Sequence, residues 1–197
     1  MSILVKEKRT ETRVDPRVRR TRKLLMEAFL GLMKEQSFRS ITIQGIAARA
    51  GVNRATFYSH FEDKYDLLNA FVCEGFEEWV SKRVSSADGF SRARLRLLVA
   101  TVFEFLAEVD AHCAQATQLI EPMFASAVQQ ELNTLLLSWL RPVPPEILPA
   151  WHLPETAALV WSWAIFGAGI KWSREGGNLT ADEMAAELLE VLLPEGR

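Results

Sequence analysis

Apolar residues recur at three- and four-residue steps along nearly the whole chain, and no stretch alternates with the two-residue period of a strand. That restricts the fold to packed helices, and an all-α chain of about nine helices is expected. From Arg17 to Gln36, Leu24, Leu25, Ala28, Phe29 and Leu32 form an apolar face opposite Arg19, Arg20 and Lys23. Pro16 suits the first turn of that helix, where its missing N–H costs nothing. Thr42 stands before a short helix whose Ile43, Ile46, Ala47 and Ala50 share a face, and Gly51 ends it. Asn53 caps a second short helix in which Phe57 and Phe61, at i and i+4, point inward.

Asp63 opens a fourth helix carrying Leu67, Leu68, Phe71, Phe76 and Trp79 and reaching toward Ser85. Ser91 caps another through Leu98, Val102, Phe105 and Leu106, and the next begins near Pro122 and runs to Leu140. Five of the eight prolines fall between Pro142 and Pro154, which forbids regular helix there and makes a loop. The stretch Glu155 to Arg174 is apolar nearly all round and must be buried on several sides. Gly176, Gly177 and Asn178 stop it, and Thr180 with Glu183 forms a capping-box pattern for a last helix ending near Leu193.

A formal net charge of −2 conceals an asymmetry. Residues 1–64 hold 14 Lys+Arg against 7 Asp+Glu, a net +7, whereas residues 65–197 carry a net −9. The N-terminal part is therefore suited to a polyanion and the remainder is not. Residues 1–15 mix charges without helical period and read as a flexible arm, with Lys6, Lys8, Arg9 and Arg13 available to a minor groove. Cys73 and Cys113 are too few for a disulfide framework. No secretory signal follows Met1, and the longest largely apolar run, Ala157 to Ile170, is shorter than a bilayer span. A soluble, cytoplasmic protein is expected.

The segment from Thr42 to Lys64 concentrates the chemistry. Two short helices joined through Gly51 and Val52 have the layout of a helix-turn-helix, whose second helix enters the DNA major groove. With Phe57 and Phe61 inward, the remaining faces present Arg54, Thr56, Tyr58, Ser59 and His60, donors and acceptors suited to base edges and phosphates. Ala55 is small enough for close approach to a base. Lys64 sits at a helix N-terminus, where the dipole favours anions, and a phosphate docked there would remove the mismatch. The competing account is an ordinary capped helix with a solvated polar face.

The run "ITIQGIAARAGVNRATFYSHFEDKYDLL", Ile41 to Leu68, closely resembles the DNA-binding domain of the TetR family of transcriptional regulators, and "RRTRKLLMEAFLGLM" before it resembles that family's first helix. The resemblance covers roughly Arg17 to Phe71. It implies that Thr42 caps the second helix and touches a phosphate, while Gln44 reaches a base. Arg54, Ala55, Thr56 and Ser59 match groove-facing positions; Tyr58, His60 and Lys64 match positions that contact the DNA backbone. The chain departs from the family at Gly45, where an acidic residue commonly completes a capping box with the threonine. The domains so implied are 16–63 for DNA binding and 64–197 for effector binding and dimerisation.

Members of that family are usually homodimers paired through their last two helices. Trp161, Trp163, Ile165, Phe166 and Ile170 offer more apolar surface than one protomer covers easily, and Gly167 and Gly169 permit close helix approach. Leu188, Leu189 and Leu192 extend the candidate interface on the last helix. Burial within a monomer is the alternative. The family's middle helices typically enclose a small-molecule pocket, for which Trp79, Phe103, Phe105 and Met123 are lining candidates, as are His112, Cys113, Phe124 and Trp139. Ordinary core packing competes for each. None of the three histidines sits in a metal-ligand pair, no nucleophile elbow or phosphate loop is visible, and neither an enzyme nor a cofactor is expected.

The expected function is a sequence-specific DNA-binding regulator, a homodimeric repressor released from a two-fold symmetric operator by a small molecule, with no membrane partner. The alternatives are a DNA-binding dimer without an effector and a helical ligand-binding protein with a vestigial helix-turn-helix.

Overall fold

The computed structural model describes residues 15–85, 89–144, 153–175 and 179–193, except for the side chains of residues 112–121. The basic arm before Asp15, most of the proline loop, the 176–178 stop and the side chains of His112 and Cys113 lie outside the described residues. Among those described there are seven α-helices, one 3-10 turn and no strand. No described helix is long and apolar enough to cross a membrane.

Helix α1, Pro16–Glu35, starts on Asp15, whose carboxylate accepts from the Arg17 N–H. Its buried face is Leu25, Met26, Ala28 and Phe29. Leu24, expected inward, is exposed, because the face is centred one position later and admits Met26 instead. A 3-10 turn, Phe38–Ser40, which the apolar pattern does not announce, delivers the buried Phe38 against Phe29 and leads into α2, Ile43–Arg49. Thr42 accepts from the Gly45 N–H at 3.0 Å, but Gly45 has no side chain to return the bond, so the box stays half-built. Gly51 takes φ +69°, a left-handed conformation that ends α2 and costs a side-chain-bearing residue roughly 1–2 kcal/mol. Helix α3, Arg54–Tyr58, is capped by Asn53, and α4, Lys64–Ser81, by Asp63.

Helix α5 spans Arg92–Leu140 and starts on the side chain of Ser91. A straight helix would place Phe105 and Phe124 about 28 Å apart, yet their rings stack at 6.3 Å, and Arg94 lies over Trp139. The segment therefore doubles back between Phe105 and Phe124, giving two antiparallel arms where the sequence pattern predicts two helices. The returning arm buries Val128, Leu132, Leu136 and Leu140 at four-residue steps. Helix α6, Pro154–Glu175, packs on α5, and α7, Ala181–Leu192, carries the expected Thr180–Glu183 capping box.

The close approach of α6 to α5 depends on Gly169, since a Cβ there would lie 2.6 Å from Leu106 Cδ1 and 2.9 Å from Phe103 Cδ1. Gly169 is thus spent within the protomer. So are Trp161, Ile165, Phe166, Leu189 and Leu192, all buried in the chain's own core. Of the interface candidates, Trp163, Gly167, Ile170 and Leu188 keep surface. The apolar strip that α6 shows to solvent keeps Trp163 of the expected surface, 53% exposed, and joins it to Leu159 and Val160, which the sequence pattern does not single out.

Candidate nucleic-acid interface

Helix α3 is only five residues long, and two devices hold it in shape. The Asn53 carboxamide oxygen accepts from the Thr56 N–H at 2.7 Å and from its hydroxyl at 3.0 Å, and Phe57 is wholly buried with its ring 5.8 Å from that of Phe61. The opposite side is open. Arg54, Ala55, Tyr58 and Ser59 are exposed, Thr56 and His60 half-buried, and on α2 the preceding Gln44 and the cap Thr42 are exposed as well.

Arg54 Nη2 donates to the Tyr58 hydroxyl at 3.0 Å, with its guanidinium 5.4 Å from that ring. The pair is pre-oriented on one turn of helix, which reduces the entropy lost when a planar donor docks. Ser59 Oγ donates to the Thr56 carbonyl, leaving its lone pairs outward. The His60 imidazole is held below its usual pKa, first by partial burial and then by the charge of Arg22, so it is neutral at pH 7 and offers a single N–H. Arg22 is itself committed: it pairs with Glu74 of α4 at 2.7 Å and lies 4.5 Å over the Phe61 ring, tying α1, α4 and the end of the α3 segment together. Arg49 of α2 makes a two-pronged bond to Glu35, which lowers the Glu35 pKa mainly by hydrogen bonding. Arg17, Arg19, Arg20 and Lys23 of α1 remain exposed.

Lys64 differs from the expectation. Its ammonium donates to the carbonyls of Phe38 at 3.0 Å, Arg39 at 3.2 Å and Ile41 at 2.9 Å, and lies 4.7 Å from the Phe38 ring. All three N–H groups are used, so the mismatch with the α4 dipole is relieved by the carbonyl end of the 3-10 turn rather than by a phosphate. Lys64 is a strut between α4 and the corner that positions Thr42. Lys64→Met is expected to lower stability by about 2 kcal/mol, the scale of charge-assisted bonds, while leaving the salt slope of DNA binding unchanged. Thermal melts beside binding isotherms over a salt series check both; a flattened slope would return Lys64 to the phosphate interface.

The pocket candidates separate into different places. Phe105 meets Phe76, Trp79 and Phe124 at centroid distances of 5.4, 6.0 and 6.3 Å, a packed aromatic cluster. Phe103 faces the other way and stacks on Trp172 of α6, and Met123 is half-buried against the core. Trp139 borders an open-sided cleft between α4 and the returning arm of α5, and there the residue missed by the sequence reading is Arg94. Its only advance signal is a cation in the first turn of a helix, where the dipole disfavours it. Cys73, near this arm, has its thiol pushed up to about 11, first by burial and then by Glu131.

The sequence profile described as "Bacterial regulatory proteins, tetR family" matches residues 25–71, which run from α1 through the helix-turn-helix into α4. Residues 25–71 are thus a TetR-type DNA-binding segment. The same N-terminal region is 40% identical over 67 residues to the HTH-type transcriptional regulator YxbF of Bacillus subtilis (strain 168), a match covering 34% of this chain and 18% of that protein. Along nearly the full length, the chain is 28% identical over 192 residues to the HTH-type transcriptional repressor KstR2 of Rhodococcus jostii (strain RHA1), covering 86% of this chain and 87% of the relative. Its fold matches that of Thermus thermophilus FadR, a TetR-family repressor solved with lauroyl-CoA, at a TM-score of 0.61 and 19% identity, over 89% of this chain and 96% of the other. These relatives are named as transcriptional regulators, and the chain is a DNA-binding regulator.

Proposed function

We propose that the protein is a homodimeric repressor that leaves a two-fold symmetric operator when a small molecule occupies its C-terminal domain. The observation that carries the DNA-binding half is the arrangement of α3, with Phe57 anchoring one side and the Arg54–Tyr58 pair, Ala55 and Ser59 open on the other. In this reading residues 16–63 form the DNA-binding unit and residues 64–197 the controlling one. Arg54 and Gln44 read base edges; Thr42, Tyr58 and His60 fix the register on the backbone.

Dimerisation is supported by the exposed Leu159, Val160 and Trp163 of α6, apolar surface that a monomer leaves in water. Repression is supported by the naming of the KstR2 relative, and control by a small molecule by the lauroyl-CoA held by the FadR neighbour.

Selection of bound sequences from random duplex DNA, with size-calibrated detection of the complex, tests the proposal. A symmetric site bound by two chains with steep salt dependence is expected. Arg54→Ala should then relax preference at one base pair per half-site by about 1–3 kcal/mol. Enrichment of no sequence, or a site bound by a single chain, would overturn the proposal.

A further inference from the structure

Arg94 is 8% exposed, and among the described residues no carboxylate pairs with it. Its guanidinium lies flat on Trp139, 3.9 Å from the ring centroid, and donates to the carbonyls of Ser85 and Gly89; Nε has no partner. Carbonyl dipoles and a ring face attract a cation but do not neutralise it, so among the described residues the buried charge has no carboxylate in contact with it. Its place in the first turn of α5 adds the positive end of the helix dipole to the same spot. Arg94 borders the open-sided cleft of about 370 Å³, toward the small end of the range for small-molecule sites. The apolar walls are Phe76 and Val80 of α4, Val84 just beyond it, and Leu135 and Trp139 of the returning arm of α5.

We propose that this cleft binds a small monocarboxylate with an apolar body, its carboxylate at Arg94 and its body between Phe76, Val80 and Leu135. A single negative charge fits better than a phosphate dianion, because Glu77 and Glu131 border the same cleft and repel a second charge. The hydroxyls nearby point the same way: Ser81, Thr134 and Ser138 donate to carbonyls of their own helices, which leaves Arg94 as the charged donor bordering the cleft. As a binding site the cleft stands on this geometry; as the effector site it rests on the ligand-controlled reading above.

Octanoate, octanamide and octylamine share a body and differ in charge, so their binding to the full chain, followed by calorimetry and thermal shift below micelle formation, isolates the role of Arg94. Octanoate is expected to saturate one site per chain, with octanamide roughly tenfold weaker and octylamine weaker still, the scale of a charge-assisted contact. Arg94→Gln should remove that advantage, so that octanoate binds no more tightly than octanamide. Arg94→Lys should keep most of it, and Leu135→Trp, which fills the cleft without touching the bonds of Arg94, should abolish binding of all three. Should Arg94→Gln fail to fold, the lysine and tryptophan variants decide.

Equal binding of octanoate and octanamide, octanoate binding that survives Leu135→Trp, or no saturable binding of any of the three would overturn the proposal. Operator retention measured on the same samples separates the two readings. Arg94-dependent binding that leaves operator affinity unchanged keeps the site and removes its effector role. Operator release by a compound that ignores Arg94 and Leu135 does the reverse.

Discussion

Replacing Leu159 and Trp163 together by glutamate is expected to give a folded protein that sediments as a monomer and binds its operator roughly 10²–10⁴-fold more weakly, the loss that follows when two linked half-site contacts become separate events. The two residues lie four apart on one face of α6, 49% and 53% exposed, so charges placed there meet water in the free protomer and another apolar surface only in a dimer. Sedimentation and far-UV circular dichroism check association and folding, and retitration of the operator supplies the affinity. A dimer that persists in the double variant would move the interface elsewhere. Truncation before Glu155 is a poorer test: Trp161 and Ile165 are buried against the protomer's own α5, and deleting them opens the core whatever the oligomeric state. Failure of that truncation would say nothing about pairing.

The second large effect is expected at Phe57. Its side chain is wholly buried between α3 and the rest of the N-terminal core, and Phe57→Ala should cost about 3–5 kcal/mol, the usual penalty for removing a buried aromatic. A five-residue helix has too few backbone bonds to persist unaided, so that loss falls on the recognition surface itself. Operator binding should drop at least 100-fold, on the scale of about 3 kcal/mol, while the dimer remains intact by sedimentation. Tyr58→Phe is the control, since it removes one hydroxyl from the exposed side and leaves the core alone. Phe57→Ala with near-native operator affinity would show that α3 is held by something other than this ring.

These expectations depend on features that differ in how far they could be read in advance. Helix starts were legible because each cap is a local bond, from Thr42 to Gly45, Asn53 to Thr56, Ser91 to Arg94 and Thr180 to Glu183, and needs no knowledge of the distant fold. The exposed groups of α3 were legible for the same reason, once Phe57 and Phe61 set the inward face. What the pattern could not decide was orientation in a helix that is apolar all round. In α6 the choice between Trp161 and Trp163 as the buried tryptophan is made by α5, through the close approach at Gly169, and nothing within α6 itself encodes it. Lys64 gave a correct signal with the wrong partner: the charge conflicts with the α4 dipole, but the relief comes from carbonyls more than twenty positions earlier. Arg94 meets Trp139 only because the chain reverses between them, a juxtaposition with no local signature.

Helix α4 joins two of these features. Its first residue is held by the carbonyls beside Thr42, and its far half lines the cleft through Phe76 and Val80. At 1.5 Å per residue its 18 residues make a rod of about 27 Å. A rod pinned at one end is a lever: a tilt of about 5° moves the other end by about 2 Å, a displacement of the size that one side chain makes in changing rotamer. In the proposed dimer the two levers would be related by symmetry, so that small swings would add and change the separation of two recognition helices without deforming either helix-turn-helix.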